Sequence, residues 1–425
     1  MKTKNKQQHH LSTHKLPINK QLKFVILFLC LPFFAWADEL VIGTTFSSNA
    51  TSHLMQVWEA QNNTLPIRTL NRTSSSLRQL LLTDRSDNVD LILSSSPMLF
   101  HTLQQQNKLA LLPNSLESNK KFVPQEVQLT TVAFSLSGYG ILSNSTLLNE
   151  IGIKAPASWE ELIQPNLHGL VIISSPSRSE TNHIMLEGLL QQHGWETGWA
   201  LINQISANVG TISSRSFGVV EKIQANLGAT GISIDNYVNL LTQNGEMQTP
   251  HLIFNYFNHF PASPTFIAIT KNSNKQEEAL KFIQFLLSDI GQKTLSDSET
   301  GKFPIIALPQ TDPLSKQQQF LFSQPQINYS LMIKRQNLVK LLFEHQITYR
   351  LTQLQENWQI LYQKEIELNK TLPELRKILT AVPIDESLAQ DHDYLTYFHE
   401  NQELLRWQSF FIDQQIKFIT ALENL

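Results

Sequence analysis

The sequence predicts an α/β protein of two lobes followed by a helical C-terminal module. Three observations point there. Strand, loop and helix units repeat along the first three hundred residues, with Ser or Thr where each strand gives way to its helix. A second α/β region then returns to strand and amphipathic helix in "PTFIAIT" and "NKQEEALKFIQFLLSDIGQKTL". From about residue 313 glycine vanishes and Gln and Leu dominate.

The leader comes first. Six lysines and no acid precede Asp38, and "FVILFLCLPFFAWA" runs apolar to an Ala35-Trp36-Ala37 cleavage pattern. That run is shorter than the ~20 residues needed to span a bilayer. Residues 1–37 therefore read as a cleaved signal peptide, and the mature chain as a soluble periplasmic or secreted protein beginning at Asp38. The single cysteine, Cys30, lies in the leader behind Leu29, not behind the small residue that lipid anchoring needs. A mature chain without thiols suits an oxidising compartment.

Next come "ELVIGTTFSSN", "IRTLNRTSSSLRQLL" and "VDLILSSSPMLF", three strand-to-helix units forming the first part of lobe 1, residues 38–135. Lobe 2, residues 136–260, contains "GLVIISSPSRSETNHIM", "TISSRSFGVVEKI" and "ATGISIDNYVNLL". In "PASWEELI", Ser158 and Glu161 have capping-box spacing for a helix start. Residues 261–312 rejoin lobe 1, and 313–425 form the helical module. In open α/β sheets ligands bind at the carboxyl ends of strands, so crossing strands would gather these loops around one cleft. In the module, Phe343, Ile347, Leu351, Leu354, Trp358 and Leu361 recur at three- and four-residue intervals. That stripe packs on the lobes or binds a partner. Thr371 and Glu374 suggest a helix restart.

Three loops share one chemistry. Arg72, Arg178 and Arg215 each stand among small hydroxyl residues just before a helical pattern. Helix N-termini favour negative charge, and arginine adds a planar fork of donors, so phosphate or carboxylate suits all three. Alternatively, the serines are only helix caps and the arginines pair with surface acids. Without the leader's lysines, 27 basic residues face 36 acidic ones, a formal charge of −9. An anionic ligand must then be held by local donors, and nucleic acid is a poor partner. The ten histidines beyond the leader form no HxxxH or HExxH pair, so no metal site is expected. Neither a nucleophile elbow nor a cofactor motif is found, and the reading is of a binding protein, not an enzyme.

The layout "VIGTTFS … PASWEELIQPNLHGLVIISSPSRSETNH … LLQQHGWETGWALI" resembles the periplasmic solute-binding proteins of the ferric-iron and sugar-phosphate uptake class. "ISSPSRSETNHIM", "TISSRSFGVVEKI", "IDNYVNLL", "ASPTFIAI" and the tail from "INYSLMIKRQNLVKLLFEHQI" are similar to members that regulate phosphoglycerate transport. The resemblance implies the two-lobed, type II-like periplasmic binding fold. It also implies a component that detects phosphoglycerates or phosphoenolpyruvate and acts through a membrane sensor kinase on its transporter. Delivery to an ABC permease, or a ligand-independent scaffold, are the alternatives.

The expected ligand clamp is Arg72, Arg178 and Arg215, with Thr45, Ser47, Ser95, Ser177, Thr181 and Ser214 as neutral donors and Asp235, Asn236 and Tyr237 meeting ligand hydroxyls. Two departures from the class stand out. Tyr237 is followed by Val238, not by the second tyrosine of ferric sites, and Ser179-Glu180-Thr181 replaces S-G-T. Glu180 would repel an anion if it faced the cleft.

Overall fold

The computed structural model describes residues 38–425 apart from 47, 62–63, 84–87, 114–115, 117–121, 244–251 and 297–299. The signal-peptide reading of residues 1–37 and Ser47 lie outside the described residues.

The first sheet begins with β1 (Leu40–Thr44), α1 (Ser48–Glu59), β2 (Ile67–Asn71), α2 (Ser74–Leu82), β3 (Leu91–Ser94) and α3 (Pro97–Gln105). Thr73 and Ser96 start α2 and α3 by accepting the backbone N–H groups of Ser76 and Leu99, the capping that Ser and Thr at strand ends predict. The chain then runs through β4 (Val132–Ser137) and crosses at one residue, Gly138, into β5 (Tyr139–Asn144). The second sheet adds β6 (Val171–Ser174), α5 (Glu180–His193), α6 (Trp195–Ser206), β7 (Val209–Ser213), α7 (Phe217–Gln224), β8 (Thr230–Ile234), α8 (Asp235–Gln243) and β9 (Leu252–Tyr256). The return brings β10 (Ser263–Ile269), α9 (Gln276–Leu287), α10 (Asp289–Ser296) and β11 (Phe303–Pro304).

Strand order is β11-β4-β10-β3-β1-β2 in one sheet and β7-β6-β8-β5-β9 in the other. Register then fixes where the loops go. β10 is antiparallel to both β3 and β4, so β4 runs with β1, β2 and β3 and ends at their carboxyl edge. β5 starts at Tyr139, opposite Ile234, the last residue of β8, and β8 is parallel to β6 as β6 is to β7. The carboxyl edges of both sheets therefore meet the Gly138 joint. Glycine is required there, because a Cβ would come within 2.5 Å of Leu321 Cδ2 and 2.6 Å of Tyr256 Cε1.

The tail comprises α11 (Ser315–Ser323), α12 (Tyr329–Phe343), a π-helical turn (Glu344–Thr348), α13 (Leu351–Leu368), α14 (Pro373–Thr380), α15 (Glu386–Gln390), α16 (His392–Thr396) and α17 (Glu400–Glu423). Its apolar stripe packs inward: Phe343, Ile347, Leu354, Trp358 and Leu361 share one core cluster with Trp195, Trp199, Ile202 and Ile205 of lobe 2. The indole N–H of Trp358 donates to Asn203 Oδ1 at 2.9 Å, and that of Trp195 donates to the Ile384 carbonyl at 2.7 Å. Of the two roles open to this stripe, the structure gives it packing.

Two helix starts differ from the sequence reading. "PASWEELI" forms only a 3-10 turn, Glu160–Ile163, where Glu161 accepts the N–H of Ala157 at 2.7 Å. Pro165 follows directly and disfavours helical geometry at Gln164. Helix α14 begins at Pro373, not at a Thr371 cap, and the Leu372 N–H is taken by the Glu365 carboxylate at 2.8 Å.

Candidate functional site

On the lobe 1 side, Thr45, Arg72 and Ser95 follow β1, β2 and β3. The Thr45 hydroxyl lies 3.0 Å from that of Ser94, and the Arg72 N–H donates to the Thr44 carbonyl at 2.9 Å. These bonds hold the backbone while leaving the Arg72 side chain exposed. Ser95 is almost wholly buried.

On the lobe 2 side, the loops after β6, β7 and β8 are neighbours along one edge. Arg178, Ser214 and Arg215 are exposed, and Thr181 is half-buried in the first turn of α5. The Arg215 guanidinium sits 5.8 Å from the centre of the Phe217 ring, which also packs on Tyr237. Among the described residues none of Arg72, Arg178 and Arg215 makes an ion pair. Among the described residues no group of three His, Cys, Asp or Glu side chains is arranged for a metal ion.

Two expected ligand contacts are otherwise engaged. The Ser177 hydroxyl donates to the Lys340 carbonyl at 3.2 Å, and its N–H donates to the Ser175 hydroxyl. Asp235 is fully buried and turned to the joint between the lobes. Its Oδ2 accepts the Gly138 N–H at 2.6 Å and the Tyr256 hydroxyl at 3.0 Å, while the Asp235 N–H donates back to the Gly138 carbonyl. Asp235 thus ties α8 to the crossing. Asn236 is also largely buried, its carbonyl closing on Gly301, whose φ of 63° and lack of a Cβ permit the approach.

What the sequence reading missed lies beneath the loop before α5. Glu180, the acid that departs from the class pattern, pairs with Lys340 of α12 at 2.7 Å. The Ser175 hydroxyl donates to Glu344 Oε1 at 2.7 Å. One turn further along α5, His183 is fully buried, and burial together with the Lys340 and Arg335 charges lowers its pKa so that it stays neutral. Glu187 and Arg335, both nearly inaccessible, form an ion pair through Nε at 2.7 Å, with the guanidinium 5.0 Å from the Trp195 ring. The tail therefore supplies the countercharges for the acids of α5. A second missed residue, Lys302, lies between the lobes, its ammonium 4.8 Å from the centre of the Phe46 ring.

Residues 86–327 match the family model described as bacterial extracellular solute-binding protein. The chain belongs to that family. Among solute-binding proteins and their relatives, the phosphoglycerate transport regulatory protein PgtC of Salmonella typhimurium is 45% identical over 395 residues, covering 92% of this chain and 98% of that protein. So complete a match includes most of the helical tail. The periplasmic binding protein P5PA superposes with a TM-score of 0.61 at 16% identity, over 73% of this chain and 99% of its own. AfuA from Actinobacillus pleuropneumoniae, solved with fructose-6-phosphate bound, gives a TM-score of 0.61 at 15% identity, over 73% and 98%. These likenesses establish the two-lobed periplasmic binding fold for this solute-binding protein. Each solved neighbour is nearly complete in the superposition while about a quarter of this chain lies outside it.

Proposed function

We propose that the chain is exported to the periplasm after removal of residues 1–37, captures a small phosphorylated carboxylate between its lobes, and regulates the transport of that solute through a membrane sensor kinase. Phosphoglycerates and phosphoenolpyruvate are the ligand class. The observation that carries this reading is the set of exposed arginines Arg72, Arg178 and Arg215, without ion pairs among the described residues, on loops at the carboxyl strand edges of the two sheets. The kinship with a phosphoglycerate transport regulatory protein supports the ligand class. A non-enzymatic role fits membership in a solute-binding family.

Regulation, as opposed to delivery alone, is supported by the attachment of the tail to the loop that carries Arg178. Ser175, Ser177 and Glu180 all bond to Glu344 or Lys340. A ligand that favours one arrangement of that loop shifts the population of the helices behind it.

Calorimetry of the mature chain with 3-phosphoglycerate, 2-phosphoglycerate and phosphoenolpyruvate tests the reading. Arg178→Ala and Arg215→Ala should each weaken binding about ten- to a hundredfold, the equivalent of one charge-assisted hydrogen bond. Lysine at either position should rescue only in part, because a point charge does not reproduce the fork. Unchanged affinity in both alanine variants would remove the arginines from the site.

A further inference from the structure

Lys302 is a lysine in an unusual position. It directly precedes β11, whose Phe303 and Pro304 pair with Leu136 and Ser135 of β4, so it lies beside the joint at Gly138. The backbone here is set by the left-handed Gly301, whose carbonyl accepts from the Asn239 side chain at 3.0 Å, and by the Lys302 N–H donating to the Thr300 hydroxyl. The residue is only 8% exposed, and its ammonium, which makes no ion pair and no hydrogen bond among the described residues, is not one of the enclosed atoms and keeps a solvent-facing side. Its neighbours belong to opposite lobes: the Phe46 ring from the loop after β1, and Asp235 at the start of α8.

An ammonium held largely out of water without a protein acceptor is unfavourable. The cation–π contact with Phe46 offsets only part of that, so the fold alone does not explain the residue. Methionine would fill the same space without the penalty. The amino end of α8, whose first N–H groups have no partner within the helix, favours negative charge at the same place.

We propose that Lys302 receives the anionic head of the ligand on the floor of the cleft, and that capture there draws protons onto Lys302 and Asp235. This rests on the reading that the cleft binds a phosphorylated acid, and it assigns the exposed arginines to the rim and Lys302 to the floor. The ligand group is a compact oxyanion, phosphate or carboxylate.

The charged and titratable surroundings agree. Asp235 faces the Gly138 N–H, the Tyr256 and Ser137 hydroxyls and Lys302, with the Tyr139 phenol nearby. Lys302 faces Asp235 and the uncharged ring of Phe46. Burial pushes the Asp235 pKa up to about 7, and burial pulls Lys302 down to about 8 against the attraction of Asp235. An arriving anion favours the protonated form of both groups. Binding therefore takes up protons near neutral pH and weakens as pH rises through this window.

The test is calorimetry of the mature chain with 3-phosphoglycerate as probe, from about pH 6 to about pH 9, in buffers of different ionisation enthalpy. For the wild type, affinity should fall with rising pH and binding should show net proton uptake. Lys302→Met should raise Kd about ten- to a hundredfold and reduce the uptake, while its melting temperature holds or rises because an unpaired buried charge is gone. If the wild type binds the probe and Lys302→Met matches it in both Kd and proton uptake, the inference is overturned and the cleft reading stands. If the wild type binds none of 3-phosphoglycerate, 2-phosphoglycerate and phosphoenolpyruvate, the cleft reading falls and takes this assignment with it.

Discussion

Replacing Trp358 with alanine asks whether the tail and lobe 2 fold as one body. The indole is fully buried, donates to Asn203 Oδ1 at 2.9 Å, and lies 5.4 Å from the Tyr362 ring, centre to centre. Emptying a site of this size removes about 3–5 kcal/mol. The lost donor leaves the Asn203 oxygen buried and unsatisfied, a further ~1–3 kcal/mol, beside an Asn203 Nδ2 that already has no partner. Local collapse relieves both at once, so about 4–6 kcal/mol is the expected loss. Trp358→Phe keeps most of the volume and should cost only ~1–3 kcal/mol, the hydrogen-bond part. Urea unfolding of the intact chain reports on the helices of tail and lobes together by far-ultraviolet circular dichroism and on the lobes alone by loss of ligand heat. Both midpoints should fall together in Trp358→Ala. If the helical signal is lost in a separate first transition while the lobes keep the wild-type midpoint, the shared core is not a cooperative unit and the reasoning fails.

Two further outcomes follow from buried charges. Arg335→Met strands Glu187 without its partner and should destabilise the chain by about 3–5 kcal/mol in urea, whereas the double change Arg335→Met with Glu187→Leu should recover most of the loss. The folded pKa of Asp235, about 7, lies above its unfolded value, so between about pH 4 and pH 7 the folded state holds a proton that the unfolded state has released. Stability from this group is present at low pH and is lost as pH rises through the folded pKa. Asp235→Asn keeps an acceptor for Gly138 without the charge, so its melting temperature relative to wild type should climb from about pH 4 to about pH 8. A constant difference across that range would show that Asp235 does not titrate in it.

The repeating strand, loop and helix pattern was legible because Ser or Thr stands where strands give way to helices, and Thr73 and Ser96 cap α2 and α3. Periodicity in the tail was equally legible, since Leu354, Trp358 and Leu361 fall on one face wherever that face points. What it packs against was not, because the partner residues, Asn203 among them, lie more than a hundred positions away. The arginine loops announced themselves through composition. Lys302 could not: a single lysine in "TGKFP" is ordinary until β11 pairs with β4 and places it between Phe46 and Asp235. Asp235 was legible as a strand-end acid, but its direction depends on the antiparallel register of β5 with β8, which brings Gly138 within reach.

Glu180 shows why the tail belongs to the regulatory reading and is more than a stabilising cover. An acid in the first turn of α5 suits the helix dipole but opposes an anion held by Arg178 two residues before it. Lys340 removes most of that opposition by pairing with Glu180 at 2.7 Å, with both side chains about four-fifths buried. On the proposed function, the affinity of that loop for an anion therefore depends on where α12 lies. Helix α12 is in turn bound to both lobes, since the Ser330 hydroxyl in its first turn donates to Glu126 of lobe 1 while Arg335 and Lys340 hold α5 of lobe 2. Linkage is reciprocal: if the position of α12 sets the affinity for the anion, the anion biases the position of α12 by the same free energy. On the proposed function, a ligand held by both lobes would act on α12 at both of its attachments, and the core shared by Phe343, Trp358 and Trp199 would carry that bias to the remaining tail helices, where a sensor partner is proposed to dock.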